Sequence, residues 1–375
     1  MNLFDKIYVG GLEIRNRIVM PPMTTRFADP DGYATDQSIA YYGARGQGGV
    51  GLILVEMSGV DLSGKHRERE LGIYDDKFIP ALGKLSRRIK GTGARAGIQL
   101  AHGGGQALQR VTGVQSVAPS AIPYVTHEKF TETHTPKELS VEEIEGLISR
   151  FVEAAERAKA AGFEIVEVHG ANGYLIYQFL SPLTNKRTDQ YGGDLNGRAR
   201  IGVQVVQAIK KKIPDLPLLY RISIDEFADG GVSPEEALKV CAMIEKAGAD
   251  GIHVSVGSYL STYPYMIPPM MLPPGFFLPL GKEVKKTVKV PVVVPGRLHD
   301  PYLANNAIET GCADLVAIGR QLIADPEWPR KIYEERLDEI RRCISCNYCI
   351  NSMRDGAAVE CASNAQVGSE WLQES

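Results

Sequence analysis

Short apolar stretches recur along this chain in a regular rhythm: Ile18–Met20, Leu52–Val55, Gly97–Leu100, Ile165–Val168, Leu218–Ile222, Gly251–Ser255, Val292–Val294 and Leu315–Ile318. Runs this short and this apolar suit strands covered on both faces. Helical patterns lie between them, clearest at Val141–Ala161, Pro234–Ala247 and Pro301–Thr310. Ser140 with Glu143 three residues on, and Ser233 followed by Pro234, supply helix starts. Strands alternating with helices predict an α/β fold with a parallel sheet. A count of eight strands selects the (β/α)8 TIM barrel over an open doubly wound sheet. Ahead of the rhythm, Ile7 to Ile14 carry a Gly-Gly turn and read as a hairpin.

Gly46 to Gly51 matches GxGxxG, the dinucleotide fingerprint. That motif must follow a strand and open a helix. Here it follows a helical pattern and opens a strand, so it reads as a loop. No other nicotinamide-binding Rossmann unit is found. The 375 residues are 44% apolar and 23% charged, and one barrel can use them all. A net charge of −3 gives no electrostatic case for nucleic acid or an anionic membrane. No window is apolar enough to span a bilayer, and Met1 to Lys6 have no signal-peptide core. A cytoplasmic protein is the default expectation.

Of six cysteines, Cys241 and Cys312 lie alone in helix-like segments and read as small buried residues. The other four crowd the end: Cys343, Cys346, Cys349 and Cys361. Without a secretory signal, such clustering argues for metal rather than disulfides. Three close cysteines and a distant fourth favour an iron–sulfur cluster over zinc, which more often uses two separated CxxC knuckles.

The polar residues gather at strand ends, where barrel enzymes keep their chemistry. The fourth strand runs straight into His169, Asn172 and Tyr174, each able to donate a hydrogen bond. A long loop with Ser-Pro and Gly-Gly follows. The first strand ends in Pro22-Met23-Thr24, and the third contains Gln99, whose buried amide needs partners. His102 reads as packed in its Gly-rich turn. The fifth carries Arg221, which in an apolar strand needs an anion or a core partner such as Asp225 or Glu226. His253 on the sixth is either a substrate-side group or a satisfied core histidine. Gly296-Arg297 and Gly319-Arg320 end the seventh and eighth, where barrels commonly bind phosphate.

The stretch from Glu164 to Arg200 resembles the Old Yellow Enzyme family of FMN-dependent oxidoreductases. It carries the family's His-x-x-His/Asn-x-Tyr pattern, then Gln178-Phe-Leu-Ser-Pro and Asn185-x-Arg-Thr-Asp-x-Tyr-Gly-Gly. Matching segments run from about Asn16 to the end. The resemblance implies FMN as cofactor, contacted by Pro22, Met23, Thr24, Gln99 and Arg221, with its phosphate at Gly296, Arg297, Gly319 and Arg320. It implies that His169 and Asn172 hold the carbonyl oxygen of an electron-poor alkene. Flavin N5 then gives hydride to the β-carbon and Tyr174 protonates the α-carbon. The cysteine tail resembles the subgroup with 2,4-dienoyl-CoA reductase, trimethylamine dehydrogenase and clostridial enoate reductases. In it Cys343, Cys346, Cys349 and Cys361 hold a [4Fe-4S] cluster. Residues 1–342 are then the FMN barrel and 343–375 the iron–sulfur tail.

The expected activity is an ene-reductase for enoates, enones or enoyl thioesters. Tyr263 to Phe277, rich in Met, Pro and aromatics, resembles a substrate loop for a bulky apolar ligand. An amine dehydrogenase is the alternative, because the tail spacing fits both. It would need an aromatic cage, and both tryptophans, Trp328 and Trp371, stand away from the strand ends. A non-catalytic electron-transfer subunit is the third reading, opposed by the intact His169, Asn172 and Tyr174. Relatives of this subgroup continue into a second flavin and nicotinamide domain. Here the chain stops fourteen residues after Cys361. A separate electron donor is therefore expected, an NAD(P)H-dependent, ferredoxin or flavoprotein partner. A homo-oligomer stays open.

Overall fold

The computed structural model describes residues 2–125, 133–260 and 263–373. Its centre is a closed ring of eight parallel strands. They are β1 (Ile18–Met20), β2 (Leu52–Gly59), β3 (Arg95–Ala101), β4 (Ile165–Gly170), β5 (Leu218–Ser223), β6 (Gly251–Ser255), β7 (Val292–Val294) and β8 (Leu315–Ala317). Each pairs with its neighbours in chain order. β8 returns to β1 through Val316 opposite Ile18. Helices α1 (Asp36–Gln47), α2 (Ile79–Lys90), α3 (Val141–Ala160), α4 (Leu195–Lys212), α5 (Pro234–Ala247), α6 (Leu278–Thr287) and α7 (Pro301–Glu309) connect the strands in turn. This is the (β/α)8 barrel that the sequence rhythm predicts.

Local chemistry explains the elements. Ser140 accepts from the Glu143 backbone N–H while Glu143 reaches back, a complete capping box for α3. Ser233 caps α5, with Pro234 in its first turn. The GxGxxG-like run joins the end of α1 to the start of β2, so it is a loop, as its order predicts.

Alternation along the strands sorts the interior into layers. Val19, Leu52, Leu54, Ile165, Leu219, Val293 and Leu315 form an apolar floor. The hairpin Ile7–Val9 with Leu12–Ile14 closes it from below, adding Val9 and Ile14 to the same cluster. One step of alternation higher on β4 comes Glu167, then His169 at the mouth. The larger apolar cluster lies outside the ring, between strands and helices.

Two expectations change. The segment after Tyr174 is not a long loop from the start, because Leu175–Leu180 form a short helix. All six of its residues are buried, so it shows no amphipathic period. Cys312 lies beyond the end of α7 and is partly exposed, whereas Cys241 is buried within α5 as expected. Among the described residues, no helix is long and apolar enough to cross a membrane.

Candidate active site

A cavity of about 1280 Å³, its open mouth included, sits over the C-terminal ends of the strands. Pro22, Met23, Thr24, Gln99, His169, Asn172, Tyr174, Arg221, Gly296, Arg297, Gly319 and Arg320 all line it. The structure therefore brings together all twelve barrel residues expected at the cofactor or the reacting alkene, but not His102 or His253. Met57 joins them from β2, and Arg67 and Tyr259 from loops.

The barrel wall under the cavity is a polar layer. Glu167 is fully buried. Its Oε1 accepts from Gln99 Nε2 at 2.8 Å, and its Oε2 lies 2.6 Å from His253 Nδ1. Burial lowers the His253 pKa even though Glu167 opposes this, so the contact is a neutral imidazole donating to a carboxylate. His253 does not line the cavity. It is the core histidine of the two alternatives. His102 is also structural: its Nδ1 accepts from Gly104 N–H at 3.0 Å, and burial pulls its pKa down to about 4.

Arg221 forms no ion pair with Asp225 or Glu226 among the described residues. Its Nη2 donates weakly to Ser255 Oγ at 3.4 Å, and its buried Nε has no partner. Burial lowers its pKa, with Glu167 opposing, which describes a cation lacking its full complement of acceptors.

His169 stands beside Tyr174, ring centroids 4.9 Å apart. Burial holds the His169 pKa well below its ordinary value, helped by Arg221, His66 and His253, so it is neutral. Its Nδ1 has no partner. Burial, then Tyr259, pushes the Tyr174 phenol well above its usual range. Asn172 adopts a left-handed φ of 62°, a conformation asparagine tolerates better than most. Its Nδ2 donates to Ser255 Oγ at 3.0 Å and to the Val256 carbonyl at 3.2 Å.

Glu56 shapes the first-strand end. β2 and β3 slip register between Val55 and Met57, leaving Glu56 as the extra residue of a bulge. It accepts from Thr25 N–H at 2.8 Å and from Thr25 Oγ1 at 2.5 Å, next to cavity-lining Thr24. Burial raises its pKa from 4.5 to about 7. The folded state then holds this proton more tightly than the unfolded state. The stabilisation is full below the unfolded pKa and lost as pH rises through about 7. From this group alone the protein should be less stable at pH 8 than at pH 4 by about 3 kcal/mol. Denaturant midpoints across that range, compared with Glu56→Gln, measure it. A Gln variant with the same pH slope would exclude Glu56 as the cause.

Which groups could be held follows from these donors. The orphaned Arg221 Nε and the Gln99 carbonyl, left free because its amide N–H goes to Glu167, suit the pyrimidine edge of a flavin. Gly296 has φ 120°, and a Cβ there would meet Phe277 N at 3.1 Å. A Cβ on Gly319 would stand 3.0 Å from Met23 Sδ. These two strand ends are open cradles only because they are glycine. The residues present fit FMN. Arg297 and Arg320 also reach outward. Arg297 Nε donates to Ser345 Oγ at 3.1 Å, and Arg320 bonds Asn347 and the Pro268 carbonyl.

These bonds fasten the cysteine tail against the cavity, and Cys343 and Ser345 line it. The four tail thiols are unpaired in disulfides and lie within electrostatic reach of one another. Cys343, Cys346 and Cys349 also act on Arg320. Ser345 and Asn347 take left-handed φ values of 55° and 59°, so the chain coils tightly between the cysteines. As a donor set this suits iron and sulfide. Among the described residues, however, no three such side chains are close enough to hold a metal ion.

His66, Arg67 and Glu70 fold toward Tyr174 from the loop after β2, and nothing in their local sequence marks them for it beyond a His and a Glu four residues apart just past a strand end. Lys65-His66-Arg67-Glu68-Arg69-Glu70 looks like an ordinary charged turn.

The family model for NADH:flavin oxidoreductase / NADH oxidase matches residues 2–339, and the chain belongs to that family. The NADH oxidase of Thermoanaerobacter brockii is 43% identical over 99% of this chain and 57% of its own. The cinnamate reductase of Clostridium sporogenes is 36% identical, over 98% and 58%. Among solved structures, 2-naphthoyl-CoA reductase with 2-naphthoyl-CoA superposes with a TM-score of 0.93 at 30% identity, covering 99% of this chain and 58% of that one. Histamine dehydrogenase from Rhizobium sp. 4-9 gives 0.89 at 32%, covering 98% and 53%. The chain thus spans little more than half the length of these relatives.

Proposed function

We propose that the chain is the catalytic part of an FMN-dependent ene-reductase that saturates the C=C bond of an α,β-unsaturated carbonyl compound. The observation that carries this reading is the pairing of neutral His169 with protonated Tyr174, ring centroids 4.9 Å apart in one cavity. Gln99, Arg221, Pro22, Met23 and Thr24 would hold the flavin ring, with Gly296, Arg297, Gly319 and Arg320 around the phosphate. Bound there, FMN would supply a hydride to the β-carbon.

The chain's own residues do the rest. His169 donates to the carbonyl oxygen and stabilises negative charge developing on it. Asn172 is the second donor. It reaches that oxygen by exchanging its bond to the Val256 carbonyl for one to substrate. Tyr174 gives the proton to the α-carbon as general acid. Met266, Ile267, Pro268 and Phe277 form an apolar wall that suits a bulky enone, enoate or enoyl thioester. Likeness to a cinnamate reductase and a naphthoyl-CoA reductase supports that class.

Cys343, Cys346, Cys349 and Cys361 would hold a [4Fe-4S] cluster as an electron port. Its donor is an NAD(P)H-, ferredoxin- or flavin-dependent unit, in a separate protein or a further domain. Amine oxidation is the second reading, favoured by the likeness to histamine dehydrogenase. Against it, the cavity's aromatics among the described residues are Tyr174, Tyr259 and Phe277, and neither tryptophan lines it.

The test is anaerobic reduction with dithionite, followed by enones, enoates, enoyl-CoA esters and amines, with the flavin absorbance followed and the iron signal read by electron paramagnetic resonance. Reoxidation by an unsaturated carbonyl compound is expected. Bleaching of the oxidised protein by an amine, with no alkene able to reoxidise it, would replace this reading with the second.

A further inference from the structure

Behind Tyr174 stands a buried cluster that the reaction above does not use. His66 and Glu70 are 0% and 1% exposed. His66 Nδ1 lies 2.6 Å from Glu70 Oε2, and the His66 backbone N–H donates to that same oxygen at 3.0 Å. On the far edge of the ring, Arg67 Nε donates to His66 Nε2 at 3.0 Å. A guanidinium can only donate, so Nε2 is the bare nitrogen and the ring proton is on Nδ1, the nitrogen 2.6 Å from Glu70 Oε2. The Tyr174 hydroxyl lies 3.3 Å from that Nε2 and is therefore the donor between them. Carboxylate, imidazole of fixed tautomer and phenol stand in line, ending at the cavity. This is the order in which a buried carboxylate orients a proton-carrying histidine in the serine-protease triad.

We propose that His66 and Glu70 are positioning residues that hold the Tyr174 proton in place and restore it after each turnover. The proposal rests on the reading of Tyr174 as the acid. As the Tyr174 O–H bond breaks, a C–H bond forms at the substrate α-carbon and a phenolate is left. Nε2 takes a proton from a water molecule, whose O–H bond breaks to leave hydroxide in the medium, and passes it to the phenolate oxygen. Each alkene reduced thus draws one proton from water. Glu70 Oε2, 2.6 Å from Nδ1, stands where it can offset the transient imidazolium. Arg67, lining the cavity, favours the phenolate. The other titratable groups facing this line are Tyr259 and His169 beside Tyr174, and His102, Glu56 and Tyr74 within reach of Glu70.

The experiment uses the flavin-loaded protein with 2-cyclohexenone and compares two rates. One is single-turnover reoxidation, in which Tyr174 already carries its proton. The other is continuous turnover driven by reduced methyl viologen. His66→Gln and Glu70→Gln keep the side-chain volume and the bound flavin. Continuous turnover in these variants is expected to fall at least about tenfold, with single turnover falling less. Added imidazole should restore part of the loss in His66→Ala. A purely structural role would lower both rates together without rescue. That result, or both rates at the wild-type value while Tyr174→Phe is slow, overturns the relay alone. Wild-type rates in Tyr174→Phe would overturn the acid assignment and the relay with it.

Discussion

Tyr174→Phe is expected to slow reoxidation of the reduced protein by an enone or enoate by roughly 10²–10⁴-fold, the usual contribution of a positioned general acid. The change deletes one oxygen and keeps the ring, so flavin content and the packing against His66, His169 and Tyr259 should survive. Substrate affinity should change little, because the proposed hold on the carbonyl oxygen is through His169. The pH dependence has a definite sign. An acid works in its protonated form, and the Tyr174 pKa is raised, by burial first and Tyr259 second. The working form therefore persists from acid through neutral pH and is lost only on the alkaline side of an ordinary phenol. His169 is shifted the other way, so it stays a neutral donor down to well below pH 6.5. The rate should accordingly be flat across neutral pH with respect to both groups. Stopped-flow traces of flavin reoxidation between pH 6 and 9 measure this. A Phe variant that keeps the wild-type rate would remove the phenol from the mechanism.

What the sequence made legible follows physical lines. The barrel strands could be read because a doubly covered strand must be short and apolar, and each ends abruptly where the ring opens to solvent. The strand-end residues could be read because Gln99, Arg221 and His169 are costly inside an apolar run. The helix Leu175–Leu180 was hidden because it is buried all round and has no polar face to mark its period. The bulge at Glu56 was hidden because a register slip depends on the partner strand. His66 and Glu70 were hidden by composition: a charged hexamer reads as a solvated turn, and only the fold turns part of it inward. Among the tail cysteines, spacing gives the donor set but not where it docks. Docking depends on contacts distant in sequence, among them Arg297 and Arg320, which reach from the seventh and eighth strand ends to Ser345 and Asn347, and Arg26, which donates to the Met353 carbonyl.

Glu167→Ala should be the most damaging single change to the barrel itself, costing about 3–5 kcal/mol, as removal of one member of a buried charged set does. Three consequences add. Gln99 Nε2 loses its acceptor, His253 Nδ1–H loses its own, and Arg221 loses a carboxylate that favours its charge. Neither orphan can turn to water, since Gln99 is 2% exposed and His253 is 0%. Glu167→Gln separates fold from charge. It keeps an oxygen for Gln99 and the side-chain volume, so the loss of stability should be smaller. It also removes the negative charge that offsets Arg221 beneath the cavity. A more positive floor favours an anionic reduced flavin, so the flavin potential should rise in Glu167→Gln. Urea denaturation of the Ala variant and a redox titration of the Gln variant test the two halves separately. An unchanged unfolding midpoint would mean that the polar layer is dispensable to the barrel. A potential unmoved by the Gln substitution would mean that Arg221 does not act on the flavin through the balance of charge with Glu167.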